Sequence, residues 1–448
     1  VPEETRQLGE FVVALATEAI PGTVRERLRY LTLDNLASGY IGSRQSCYRI
    51  AHAVIADLGG VGSSHVFGSP VGLDISRASL LNGVAIGAFE TDHPNAGSHA
   101  GGAVFPAVLA LGDALGASGE VAMRALVAGY EVNSRIAMAQ TNKAEQVRGF
   151  HNPGISGPLA SAAACSLLLG LSLDQTLAAL GIAASHSAGL IEYVWTGAMT
   201  KRLHLGRAAQ MGLESALLAR QGFTGPPTIL EGEYGYLQAF SPEPIVSHLT
   251  TELGSRWFLE ETRVKSLPGH GTAQPFAPVL AEWRSRGIDP TRIDRIEITT
   301  SEQGTEERFL DASPDTVLGA QYSMPFMTAL AIVRGVDGLI DLTEETLDDD
   351  LLKRVASRVT IAVDERFQGK GIEAGGEVTI EVDGDREVLP APGLPSLSLQ
   401  AMRELCESKL ERYSAGVVPA ARISEIVGVV HHFEEMTTIG ELSKLVFG

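Results

Sequence analysis

Imidazoles, ammonium groups and carboxylates recur in four stretches of flexible backbone, and their types suit proton transfer to or from a bound anion. The first stretch is Glu90-Thr91-Asp92-His93-Pro94-Asn95-Ala96-Gly97-Ser98-His99, running into the apolar segment Ala103 to Leu111. A loop feeding a helix start can present an anion to unpaired backbone N–H groups. The second, Arg148-Gly149-Phe150-His151-Asn152-Pro153-Gly154, repeats that arrangement. In the third, Thr200 to Ala209, Lys201 and His204 stand three apart on one face of an expected helix, with Arg202 beside them. Cations on a buried face require an anionic partner, from the protein or from a ligand. The fourth is Lys265-Ser266-Leu267-Pro268-Gly269-His270-Gly271-Thr272, at a change in the character of the chain where a pocket is expected. Any one stretch, taken alone, reads equally as a capped loop with solvated side chains. His52, His65, His186, His248 and the pair His431-His432 read as ordinary core or surface residues.

The elements that must carry these stretches fall into two kinds. Up to about Arg263 the apolar residues keep helical spacing, as in Phe11, Val12, Leu15 and Ile20, with Pro21-Gly22 as punctuation. Segments such as Leu159 to Leu171 are rich in Ala, Leu, Gly and Ser, which let helices approach closely. From about 265 onward β-branched runs appear: Ile293, Ile296 and Ile298 in alternation, then 359–363 and 378–382, with Asp383-Gly384 as a hairpin turn. Helical patterns at about 272–286 and 317–333 accompany them. Pro390 to Pro395 reads as a crossing back, followed by helices at about 397–413 and 420–435. The expected architecture is a two-domain one, with a large all-α helical domain, residues 1–264 completed by 398–448, and a smaller α+β lid domain, residues 265–397.

Composition removes several classes of function. Thirty-five Lys and Arg stand against fifty-four Asp and Glu, a net charge of −19 over 448 residues, which disfavours nucleic-acid partners and anionic membrane surfaces. Only three cysteines occur, Cys47, Cys165 and Cys406, too few and too scattered for a disulfide framework, a zinc ribbon or an iron–sulfur cluster. A reducing cytoplasm is expected, and Val1-Pro2-Glu3-Glu4-Thr5 does not read as a signal peptide. There is no phosphate loop, GxSxG or HExxH motif, and Gly59-Gly60-Val61-Gly62 and Gly369-Lys370-Gly371 read as plain turns. No membrane span, metal site or organic cofactor is expected.

Taken together, the four stretches make the chain resemble the MmgE/PrpD family, whose members include 2-methylcitrate dehydratase, cis-aconitate decarboxylase and iminodisuccinate epimerase. The carriers are His93-Pro94 and His99, Gly129-Tyr130-Glu131-Val132 with Arg135, His151 before Gly154, Lys201 to Gly206 with His204, Gly222-Phe223-Thr224-Gly225-Pro226, Leu230-Glu231-Gly232, and Lys265 with His270. The resemblance implies a helical domain closed by a lid, no cofactor, a homodimer, and a di- to tetracarboxylate held as substrate. It also implies active-site roles for His99, His151, Lys201, Lys265 and His270. Asp92, His93, Arg148, Arg202 and His204 are expected to bind substrate.

Two departures from the family pattern bear on the reaction. The acidic loop is rearranged to Ala88-Phe89-Glu90-Thr91-Asp92-His93, and Phe326 stands where decarboxylase-type members carry a tyrosine. All three family reactions place charge on a carbon beside a carboxylate, which Lys201, Lys265 and His270 could stabilise while His151 or His99 moves the proton. With the acid and the tyrosine altered, the expected reaction is epimerisation of iminodisuccinate, an isomerase activity. The alternatives are a 2-methylcitrate-type dehydratase and a cis-aconitate-type decarboxylase, and a non-catalytic helical scaffold is the reading from another class.

Overall fold

Glycines and alanines dictate how the helices of the larger unit meet. A Cβ on Gly206 would lie 2.3 Å from the Leu80 carbonyl oxygen, and one on Gly212 would lie 2.4 Å from that of Pro158. Only glycine lets the helix Thr200–Arg220 press this closely on Ile75–Gly87 and Asn152–Leu168. These helices and their neighbours Ala100–Leu115 and Gly119–Gln140 form the core, and every residue of Asn152–Leu168 is buried. The computed structural model describes residues 3–368, 374–394 and 396–447. The Gly369-Lys370-Gly371 turn, Val1-Pro2 and Pro395 lie outside the described residues.

The chain forms two compact units. The first comprises Val1–Ile191, Thr200–Val264 and Leu397–Gly448, and is mainly helical. It also contains an antiparallel hairpin, Val61–Val66 with Ser69–Leu73, so the all-α expectation needs correcting. The Gly59-Gly60-Val61-Gly62 stretch does not act as a plain turn alone, because Val61 and Gly62 enter the first strand. A Cβ on Gly62 would lie 2.4 Å from the Leu73 carbonyl oxygen, an approach that glycine permits. After the second unit the chain returns in the helices Leu399–Ser414 and Ala420–His431, the former packing on Gly22–Gly42. No described helix is long and apolar enough to cross a membrane.

The second unit comprises Glu192–Met199 and Lys265–Ser396. The sequence reading assigns Glu192–Met199 to the helical domain. Here it packs instead with the smaller unit, where a Cβ on Gly197 would overlap Thr316 and the rings of Tyr193 and Tyr322 meet edge to face at 6.5 Å. A four-stranded sheet runs Val359–Val363, Ile293–Thr300, Gly375–Val382, Asp385–Pro392 in spatial order. The first pair is parallel and the others are antiparallel, with Ile296 opposite both Val359 and Ile380. Asp383 and Gly384 both take positive φ, 51° and 85°, which makes the tight hairpin turn their sequence suggests.

Two local expectations change in this unit. Pro390 is part of the last strand rather than a crossing, and that strand is an edge, where a residue without an N–H is tolerated. The helical pattern at 317–333 divides into Val317–Tyr322 and Met324–Ile340. Ser323 is extended, and its hydroxyl caps the second helix by accepting from the Phe326 N–H, while Pro325 occupies the first turn.

Candidate active site

In the helical unit, His99 and His151 each occupy the residue just before a buried helix, Ala100–Leu115 and Asn152–Leu168 respectively. Neither imidazole caps its own helix, and both side chains stand at the positive ends of two helix dipoles. Pro153 fits the first turn of the second helix because its missing N–H would be unpaired there in any case. The two helix starts are tied together. Asn152 donates to the Gly97 carbonyl at 3.2 Å, and the Ser98 and Ser156 hydroxyls lie 2.9 Å apart.

The loop 88–99 is itself under constraint. Glu90 and Ala96 adopt φ of 57° and 48°, a left-handed conformation costly for residues with a Cβ. Asn95 and Ser98 close a tight turn by exchanging backbone hydrogen bonds at 2.8 Å each. The distorted loop drives the Glu90 carboxylate inward, where it pairs with both Lys201 and Arg202, all three side chains being buried. Arg202 also donates to the Gly87 carbonyl at 3.0 Å. Asp92 Oδ2 lies 2.7 Å from His99 Nδ1, within ion-pair distance but outside hydrogen-bond geometry.

Lys201 and His204 diverge from their shared helix face. Lys201 turns to Glu90, whereas His204 Nδ1 meets His151 Nδ1 at 2.8 Å. Burial pushes the His204 imidazole down to about 4, and the nearby Lys201 ammonium adds to the effect. Burial likewise holds His151 well below the usual histidine range, reinforced by Lys201, His204 and His99 and opposed by Glu90. Both rings are therefore neutral near pH 7.

Two expected ligand contacts need correction. His93 is fully buried, with Nδ1 2.7 Å from Asp34 Oδ2 and Nε2 2.8 Å from the Tyr130 hydroxyl. With both nitrogens committed to protein partners, it braces the loop and does not face a substrate. Arg148 is exposed in the turn after the short helix Lys143–Gln146, where a buried cation was expected. Arg202 is buried, donating to the Gly87 carbonyl and pairing with Glu90.

Sequence reasoning missed the support beneath the loop. Lys409, from the returning helix Leu399–Ser414, pairs with Asp34 and donates to the Thr91 carbonyl. Burial alone would raise the Asp34 carboxyl, yet the Lys409 ammonium and His93 hold it below its ordinary range. Asn35 donates to the Tyr130 hydroxyl at 3.1 Å, completing a chain from Lys409 through Asp34 and His93 to Tyr130. Asp34, Asn35 and Lys409 gave no signal in the sequence, whereas Thr91 and His93 lay in the first stretch and Tyr130 in Gly129-Tyr130-Glu131-Val132. The same stretch also anchors the backbone, since Glu131 accepts from the Leu259 N–H at 2.8 Å and burial pushes its carboxyl up to about 7. Arg135 donates to the carbonyls of Thr251 and Arg256.

In the second unit, Lys265 is buried and His270 lies against two aromatic rings, stacked on Phe309 at 4.6 Å and tilted against Tyr322 at 4.7 Å between centroids. His270 Nδ1 lies 3.2 Å from the Thr272 hydroxyl, and its backbone N–H donates to Gln321. Phe326 is fully buried and brings no hydroxyl, while Tyr322, one turn earlier, places a phenol ring against His270. Among the described residues no group of three or more His, Cys, Asp or Glu side chains could hold a metal ion.

Comparison with known proteins agrees with this arrangement of the chain. The MmgE/PrpD N-terminal domain matches residues 6–248 and the MmgE/PrpD C-terminal domain matches residues 268–432. A cis-aconitate decarboxylase-like protein, oryM, of Aspergillus oryzae is 29% identical over 99% of this chain and 97% of its own length. The cis-aconitate decarboxylase of Aspergillus terreus is 27% identical over 99% and 95%. The human cis-aconitate decarboxylase is 34% identical over 62% of this chain and 59% of its own length. With both domain models matched and relatives aligned end to end, this chain belongs to the MmgE/PrpD family.

Proposed function

We propose that this protein is a lyase acting on a small unsaturated polycarboxylate, with decarboxylation of a cis-aconitate-type substrate as its reaction. The observation that carries the reading is the end-to-end similarity to cis-aconitate decarboxylases, which spans every stretch that holds the candidate site. It favours a lyase over the epimerisation expected from the altered loop and from Phe326. Loss of CO2 leaves the bonding electron pair on a carbon beside a second carboxylate, and one proton must be added to the carbon skeleton. Lys201 would hold a carboxylate in place of Glu90, and His99 beside Asp92 would deliver the proton, with neutral His151 serving as a hydrogen-bonding or proton-accepting group. Lys265 and His270 keep the roles that the family resemblance implies, and Lys265→Met and His270→Asn variants test them. The homodimer implied by the family belongs to this reading and is checked by analytical ultracentrifugation.

The deciding experiment offers cis-aconitate to the enzyme in deuterated water. The expected result is release of CO2 with one deuterium bound to carbon in the product. Exchange of deuterium into iminodisuccinate without loss of CO2 would restore epimerisation. Formation of an unsaturated acid from 2-methylcitrate would assign a dehydratase instead.

A further inference from the structure

The contact between His151 and His204 is unusual because it joins the same nitrogen of each ring, Nδ1 to Nδ1, at 2.8 Å. Two bare lone pairs repel at that distance, and two N–H groups clash. One Nδ1 must carry the proton and the other must accept it. A neutral imidazole with Nδ1–H has a bare Nε2, and one with a bare Nδ1 carries its proton on Nε2. The contact therefore makes the two rings complementary at their far ends.

The surroundings hold both rings in this relation. His151 is 5% exposed, and its backbone N–H donates to the Gly189 carbonyl at 3.0 Å. The ring of His204 lies across Gly189, where an added Cβ would approach Cε1 and Nδ1 to 3.2 Å, and the φ of 134° there suits only glycine. Gly154 lies on the other side, where an added Cβ would come within 2.5 Å of the Ala188 carbonyl oxygen. The rings meet at 45° with centroids 5.0 Å apart. Lys201, His99 and Glu90 are the charged or titratable groups whose fields reach His151.

We propose that His204 is a positioning residue that locks His151 into a single tautomer, so that the pair presents one Nε2–H donor and one bare Nε2 acceptor on adjacent rings. A hydrogen-bond donor and a proton acceptor stand side by side before any substrate arrives. The inference deepens the lyase reading, since it supposes that His151 meets the substrate, but its first test does not depend on activity.

That test is two-bond 1H–15N correlation spectroscopy on the full-length protein labelled with 15N-histidine, with His204→Asn used to assign the pair. The expected spectrum near neutral pH shows one ring of the pair as the Nδ1–H tautomer and the other as Nε2–H. Two Nε2–H rings, or an imidazolium in either, would overturn the lock. The second test compares His204→Leu with His204→Asn, whose amide can still meet His151 Nδ1. We expect kcat to fall on the order of 100-fold in the leucine variant with KM nearly unchanged, and to recover by at least tenfold in the asparagine variant. Equal losses in both variants would overturn the positioning role. If the leucine variant does not fold, the spectrum of the wild type and the activity of His204→Asn still decide. An intact lock without turnover on any polycarboxylate would refute the lyase reading and leave the tautomer assignment standing.

Discussion

Replacing Lys409 with methionine should reverse the pH dependence of stability, and the structure sets the size of the effect. Lys409 is 2% exposed and its ammonium pairs with Asp34, which is fully buried. Methionine fills similar volume but leaves the Asp34 carboxylate with His93 as its remaining polar partner of charge-bearing type. Removing one member of a buried pair costs about 3–5 kcal/mol when the orphaned charge persists. The variant can escape part of that cost by protonating Asp34, because burial already pushes its carboxyl up and Lys409 is the largest influence holding it down. In the wild type the depressed Asp34 contributes stability that is complete above the ordinary carboxylate value and is lost only as pH falls through its lower folded value. In the variant the folded state holds an extra proton relative to the unfolded chain, so stability is greatest at low pH and falls as pH rises. One proton corresponds to about 1.4 kcal/mol per pH unit, or roughly twice that between about pH 6 and pH 8. Guanidinium unfolding of both proteins across that range gives the difference at each pH, in which titrations common to both cancel. A difference that stays constant with pH, or remains below about 1 kcal/mol, would refute the view that Lys409 neutralises a buried charge.

Other consequences can be checked independently. Glu90→Gln leaves Lys201 and Arg202 buried without their shared carboxylate, so unfolding stability should drop by about 3–5 kcal/mol; a change within about 1 kcal/mol would mean that the three are not a charge network. The acid limb that His204 and His151 impose on kcat/KM should lie far below the ordinary 6.5, near the value of about 4 for His204, and a pH profile breaking at 6 to 7 would contradict it. Between those two values the unfolded chain binds more protons at these histidines, so their linkage makes stability rise with pH there, which pH-dependent melts would report. Gly189→Ala forces a Cβ onto the His204 ring at a φ of 134°, so it should cost about 1–3 kcal/mol and lower kcat more than it raises KM; a fully active variant would show that the ring placement is not needed.

The contacts of His151 with His204 and of Lys201 with Glu90 join stretches that the sequence had already singled out. His99, His151, Lys201 and His204 stood out because imidazoles and an ammonium in Gly/Pro-rich or otherwise apolar surroundings are costly unless they have work to do. Their neighbours were misjudged where a residue type has two uses. His93 resembled its loop partner His99, yet a single turn of backbone sends it to Asp34 and Tyr130, with no exposure left. Arg148 lies only three residues before His151 and still points to solvent. Pro390 looked like a linker because proline interrupts most strands, and an edge strand is the exception.

By itself the sequence determined the local matters: the helix bearing Lys201 and His204, the Asp383-Gly384 hairpin, and the family. Periodicity, turn chemistry and charge decide these within a few residues of chain. Only the tertiary structure decided that Glu90 would sit between Lys201 and Arg202, 111 residues away from the former, and that Lys409 would reach Asp34 across 375. It also decided that His151 would meet His204 through the same ring nitrogen. These pairings join positions that share no local pattern, and they form because a buried charge or imidazole takes whichever partner the packing of the helices brings within reach.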